Sequence, residues 1–271
     1  MCGCSAVQLG YNQGPMLASW WLDGYVDVSS ARRPRVKAAI DDWFGWHRGT
    51  QLPLYVQDLA ALQTLARNDV SAAQLCALVP AWQRHAERAF EQALPALVEL
   101  ARDLSSEQLQ HLARHYADNL ADARRSHLQD SPAERKQAAL ARAVERAESL
   151  YGRLDEAQRR QLVQTQAASP FDADRWLAER SARQQDILRS LRQWRSDQAP
   201  VAVVQAGLLQ LASQSLRSPR AEYRAYQDRA LMAGCEQAAR LHNSSSPAQR
   251  QKLADKLKGW EADVRALMAP G

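Results

Sequence analysis

Residues that bend or staple a chain are scarce in this sequence: 11 glycines, 11 prolines and four cysteines among 271 positions. β-Branched residues are also sparse, which argues against a sheet-built fold. No apolar run approaches the ~18–20 residues of a bilayer-spanning helix. The nearest, Pro200 to Ala212, contains two glutamines and reads as a buried helix. P-loop, G-x-S-x-G, CxxC and dinucleotide-binding patterns are all missing, and with them the reaction classes that they mark. The formal net charge of +5 is carried mostly by arginines interspersed with acids. Without a block of like charge, or an RNP, zinc-finger or helix-turn-helix signature, nucleic acid is excluded as the expected partner.

What the sequence has instead is Ala, Leu, Gln and Arg throughout, among the stronger helix formers. The expected fold is all-α, an elongated bundle of amphipathic helices. Val36, Ile40, Trp43, Phe44 and His47 share one helical face by spacing. Trp82, Phe90, Ala93, Leu97 and Leu100 suggest a second stripe, in a helix that Pro95 should kink. Further stripes run through Leu109, Leu112, Tyr116 and Leu120, then through Leu140, Ala143, Val144, Ala147, Leu150 and Leu154. Leu253, Leu257, Trp260, Val264 and Leu267 form a heptad-like seam. The helix from about Phe171 to Trp194 carries Arg180, Ser181 and Gln184 on its would-be core face, so it is expected to project or to bridge subdomains. Residues 1–14 are expected as a tether, 15–130 and 131–271 as two helical subdomains or one continuous domain. Trp20, Trp21, Leu22, Tyr25 and Val26 are expected as the first packed element, since Asp23 and Asp27 interrupt an interfacial belt.

Several helix starts repeat one phrase. Ser71, Ser105, Asp155 and Ser246 each precede a glutamine by three residues, and Ser131 precedes Glu134 in the same way. This is the capping box, in which cap and third residue satisfy each other's backbone N–H groups. The phrase also resembles the LTxxQ motif of small periplasmic chaperones of the Spy and CpxP type, with Ser or Asp in place of Thr. Capping chemistry accounts for the residues without kinship.

Gly3-Cys4-Ser5 matches the end of a bacterial lipobox, in which a small residue precedes the cysteine that takes the lipid. Before Cys4 there is no room for the basic and apolar regions of a signal peptide, so a truncated precursor is expected. Cys4-Ser-Ala-Val-Gln-Leu-Gly-Tyr-Asn12, Trp20-Trp-Leu-Asp23, Trp46-His-Arg48 and Leu52-Pro-Leu-Tyr55 together resemble a family of uncharacterised proteobacterial lipoproteins. The resemblance implies a lipid-anchored envelope protein facing the periplasm. Ser5 after the cysteine is similar to the signal of lipoproteins sorted to the outer membrane.

Candidate chemistry is sparse. Trp43, Trp46, His47 and Arg48 form the candidate binding patch, and His47 with Asp41 or Asp42 is the one arrangement that suits an envelope hydrolase. The competing reading ends a helix at His-Arg-Gly, with Arg48 at its C-terminus and the tryptophans in the core. His111 and His115 lie one turn apart, but no third metal ligand is identifiable. Cys76 and Cys235 are either a disulfide in an oxidising compartment or two separately buried thiols. The sequence therefore leads to a non-enzymatic binding or scaffolding lipoprotein, holdase-like in its sharpest form, without cofactor. Its expected partners are the membrane through Cys4 and unfolded or envelope proteins. A purely structural envelope role is the other alternative.

Overall fold

The computed structural model describes residues 5–269, which contain helices and turns and no strand. The expectation of lipid on Cys4 lies outside the described residues. Thirteen α-helices follow one another among those described. The first three are α1 (Ala6–Asn12), α2 (Gly14–Val26) and α3 (Arg33–Trp46), and a π-turn over His47–Gln51 carries α3 into α4 (Leu52–Leu65). Next come the short α5 (Ala72–Cys76), then α6 (Val79–Asp103), α7 (Ser106–His127) and α8 (Pro132–Tyr151). The rest are α9 (Glu156–Ala167), α10 (Ala173–Ser196), α11 (Val201–Leu216), α12 (Ala221–Asn243) and α13 (Pro247–Met268). The chain is an all-α, multi-helix bundle.

The helices start where the capping phrase stands. Ser71, Ser105, Ser131, Asp155 and Ser246 all make both bonds of the box. Two of these boxes also join each other. Gln158 of α9 and Gln249 of α13 exchange amide hydrogen bonds of 2.8 and 3.0 Å, and Gln158 is only 2% exposed. A local cap thus becomes a tertiary lock.

Two apolar clusters hold the bundle. One gathers Val26 and Val28 with Leu94, Val98, Leu109 and Leu112, and takes Leu188, Leu191 and Val204 from α10 and α11. The other joins Ala66 to Ala147, Tyr151, Leu154 and Leu162, and closes with Leu241, Leu253 and Leu257. Each cluster draws residues from both sides of position 130. Hydrophobic burial of this kind is the main favourable term in folding.

The expected stripes differ from the packed ones in several places. In α6 the buried positions are Leu94, Val98 and Ala101, so the inner face is rotated from the expected one and Trp82 is 52% exposed. The helix runs through Pro95 without interruption. The α10 helix does not project; it packs against α6, α7 and α11. Arg180, Ser181 and Gln184 are half-buried there, with the Arg180 guanidinium over the Trp176 ring, 5.8 Å from its centroid. The neighbouring Glu179, 4% exposed, accepts from Ser218 Oγ at 2.7 Å and from Arg220 at 3.1 Å. Arg220 also reaches Asp186 at 2.5 Å. Residues 6–12, expected as tether, form α1 against α13, because Ser5 caps the helix and Gln8 donates to Asp263 at 2.9 Å. Trp20 and Trp21 stand at the surface, 76% and 58% exposed, while Leu22, Tyr25 and Val26 pack inward.

The α10 and α11 helices approach closely at Gly207. A Cβ added there would sit 2.2 Å from Trp194 Cζ2. Gly207→Ala is therefore expected to push the indole aside and cost about 1–3 kcal/mol, the usual range for overpacking. Urea unfolding monitored by circular dichroism checks this, and an unchanged midpoint would contradict the close approach.

Candidate functional site

The four residues of the candidate patch lie around the π-turn. An inserted residue of this kind shifts the register of a helix and is frequent at functional sites. Here it turns His47 and Gln51 inward, and both are buried. Thr50 Oγ1 donates to the Trp46 carbonyl at 2.8 Å, occupying an acceptor beside the irregular turn. The helix therefore does not stop at His-Arg-Gly, and Arg48 serves no C-terminus there. Its guanidinium donates instead to the Leu267 carbonyl at 2.5 Å and to Asn12 Oδ1 at 3.0 Å.

His47, 8% exposed, is held on every side. Its Nδ1 lies 2.9 Å from the Tyr11 hydroxyl and its Nε2 lies 3.2 Å from the Tyr55 hydroxyl. The Trp43 ring stacks on it, with centroids 4.8 Å apart and planes at 21°. Trp43 itself is fixed by an N–H bond of 2.8 Å to the Ala89 carbonyl. A neutral imidazole has one donor and one acceptor nitrogen, so one tyrosine donates to the ring and the other accepts from it. Burial holds the His47 pKa below the ordinary value. Burial likewise raises both tyrosines, with Arg48 opposing the effect at Tyr11 and Asp58 adding to it at Tyr55.

The chemistry follows from those partners. Both ring nitrogens are occupied by neutral hydroxyls, and no carboxylate orients the imidazole. Asp41 and Asp42 are exposed, and Asp41 pairs with Lys37 Nζ at 2.7 Å. The His47–Asp41 and His47–Asp42 arrangements are not formed. Farther out, Tyr55 packs edge-on against His85, whose Nε2 lies 2.8 Å from Asp58 Oδ2. The patch is a polar knot, not an open cleft.

Three of the four segments that carry the lipoprotein resemblance meet in this knot. Tyr11 and Asn12 come from the first, His47 and Arg48 from the third, Tyr55 from the fourth. Residue types alone did not reveal Tyr11 and Tyr55 as partners of His47, although both stand in those segments. A second buried tyrosine–histidine pair was also missed: Tyr151 lies 3.0 Å from His242 Nδ1, and His242 Nε2 donates to the Asn68 carbonyl at 2.8 Å.

His111 and His115 do not act together. His111 Nε2 donates to the Gly24 carbonyl at 2.9 Å, and the His115 ring packs edge-on to Tyr25 at 4.1 Å. Among the described residues, no group of three or more His, Cys, Asp and Glu is placed to hold a metal ion. Cys76 and Cys235 are joined by a disulfide that links α5 to α12, with Cα atoms 5.7 Å apart.

A family model described as "Family of unknown function (DUF6279)" matches residues 24–224, well over half of the chain. No curated protein and no solved structure matches.

The buried histidines make stability depend on acid. Burial lowers the pKa of both His47 and His242, so below about pH 6.5 the unfolded chain binds more protons than the folded one. Their contribution is fully present above that pH and is lost as pH falls toward the folded values. Melting temperature is expected to drop between about pH 7 and about pH 5. The drop should be smaller in His47→Gln, which starts from a lower melting point. Equal drops in both proteins would show that His47 does not titrate differently on folding.

Proposed function

We infer, for a chain that belongs to the DUF6279 family of unknown function, a lipid-anchored binding or scaffolding protein of the bacterial cell envelope. In this reading an acylated Cys4 holds the helical body at the periplasmic face of the outer membrane. The observation that carries it is the Cys76–Cys235 disulfide. Structural disulfides persist in oxidising compartments such as the periplasm and are rare where thiols are kept reduced. Two or three acyl chains on one thiol would supply the stable anchoring that a single chain does not. No helix among those described is long and apolar enough to cross a membrane.

A binding role is favoured over hydrolysis because the tyrosines engage both nitrogens of His47. The holdase-like form of the reading has its own support in an open groove of about 730 Å³ between α10 and α11. Trp194, Val203, Ala206 and Leu211 give it an apolar lining, with Asp186, Arg189 and Gln214 also along it. An extended segment of an unfolded client would find apolar pockets and polar edges there.

Two measurements test the reading. Palmitate labelling is expected to mark the protein expressed with a secretion signal, and to fail when Cys4→Ser is introduced. Labelling that persists in that variant would reject the anchor. The soluble body is expected to suppress aggregation of a reduced model client at equimolar ratio, and Val203→Asp should weaken the effect. No suppression would remove the holdase form and leave the scaffold.

A further inference from the structure

The surface of α2 is built against the usual rule. Met16, Leu17, Trp20 and Trp21 follow one another at i, i+1, i+4 and i+5, and all four are exposed. The opposite side of the same helix, with Leu22, Tyr25 and Val26, is packed into the bundle. A helix apolar on all sides is ordinarily buried, yet half of this one faces outward. The neighbouring α1 also exposes Val7 and Leu9. From Ser5 to Leu22 the sequence has no charged residue. Exposed apolar surface concentrated in this way marks an interaction site.

We propose that the outer face of α2 rests in the headgroup region of a zwitterionic lipid bilayer, as a second membrane contact beside Cys4. The choice of lipid over a protein partner rests on the proposed acylation of Cys4, one residue before the α1 cap. Two independent features favour that occupant. Tryptophan, with its apolar ring and single polar N–H, is suited to the membrane–water interface. Beside Trp20 and Met16 runs an open groove of about 730 Å³ between α2 and α3, walled by Arg33, Lys37, Asp23 and Asp41. Its charges form two pairs, Arg33 with Asp23 at 3.5 Å and Lys37 with Asp41 at 2.7 Å. Equal numbers of cations and carboxylates complement a headgroup that carries one phosphate and one ammonium. Such a site gains little from anionic lipid. An apolar face lying in the interface adds its buried area to the attachment that the acyl chains supply.

The full chain carrying Cys4→Ser removes the acyl group and leaves the face intact. It is expected to cosediment with vesicles of phosphatidylethanolamine and phosphatidylcholine at both ~0.15 M and ~0.5 M salt, since screening acts little on apolar contact. Trp20→Ala with Trp21→Ala should bind roughly tenfold more weakly, which corresponds to about 1.4 kcal/mol of lost apolar transfer. Trp21 touches Tyr25 with centroids at 4.4 Å, so helicity and melting are checked alongside. If the double variant is unstable, Trp20→Ala alone must weaken binding. Failure to sediment, equal sedimentation of the tryptophan variants, or binding confined to anionic vesicles and lost at high salt would each overturn the proposal. So would a dimer that the same substitutions dissociate in the absence of vesicle binding, which would assign the face to a second copy. Palmitate labelling of Cys4 reads the anchor separately, because the vesicle assay contains no acylated thiol.

Discussion

The closure of the last two helices over residues 47–76 is the constraint on which the rest of the bundle depends. The α13 helix lies along α4, and α12 lies on α5. Asn243 binds Val70 in both directions, accepting from its N–H at 2.9 Å and donating to its carbonyl at 3.0 Å. Arg250 pairs with Asp69, Gln63 donates to Glu261 at 2.6 Å, and the disulfide adds a covalent link. Bringing together segments this far apart costs chain entropy that grows slowly with loop length. A cross-link between residues 159 apart removes much of that cost from the unfolded state. The same closure delivers the Leu267 carbonyl to Arg48, so the knot around His47 depends on the far end of the chain.

Polar groups fix where the apolar clusters alone would not. Leu, Ala and Val can slide between nearly equivalent packings, whereas a buried imidazole must find a partner for each nitrogen or forfeit its hydration. The bundle uses this device twice, with Tyr11–His47–Tyr55 on one side and Tyr151–His242–Asn68 on the other. Each joins helices distant in sequence. The exchanged amides of Gln158 and Gln249 act in the same way at the junction of two helix starts. For the repeated Ser-x-x-Gln phrase this gives a physical reason that needs no chaperone ancestry. Its glutamines cap locally, and in one instance they pair across the bundle.

Helix positions were legible in the sequence because caps and apolar periodicity are local properties. All five capping boxes occur where Ser or Asp precedes Gln or Glu by three. Faces were less legible. Trp82, in the first helical turns of α6, lies beyond the apolar cluster that takes Leu94, Val98 and Ala101, and spacing alone does not tell where a partner helix ends. The π-turn was invisible, since His-Arg-Gly reads as a helix stop and nothing local announces that the helix resumes at Leu52. The polar residues Arg180, Ser181 and Gln184 made α10 look like a projecting surface because the helices that pack against it, α6, α7 and α11, cannot be read from spacing. Ser218 and Arg220, the partners of its buried Glu179, lie about forty residues away. Of the candidate patch, the residues were legible as a cluster, but their being closed off by Tyr11 and Tyr55 was not. That closure is tertiary.

The family match and the folded body have different extents. The match runs from residue 24 to 224, yet Leu241, Leu253 and Leu257, which complete the second apolar cluster, all lie beyond it. Cys235, half of the disulfide, lies beyond it too, and Tyr11, the partner of His47 Nδ1, lies before it. Without those residues a cluster would open to water, a buried imidazole nitrogen would lose its partner and a thiol would stand alone. Each loss is of a kind that destabilises a fold by more than a surface change does. The unit that folds therefore includes α1 and α13 as well as the matched region. Within it the aromatic residues fall into two groups. Tyr11, Trp43 and Tyr55 close on His47, while Trp20 and Trp21, a few residues along the chain from Tyr11, face outward. Two tryptophans left uncovered on a segment that carries no charge from Ser5 to Leu22 direct that segment toward something other than its own core.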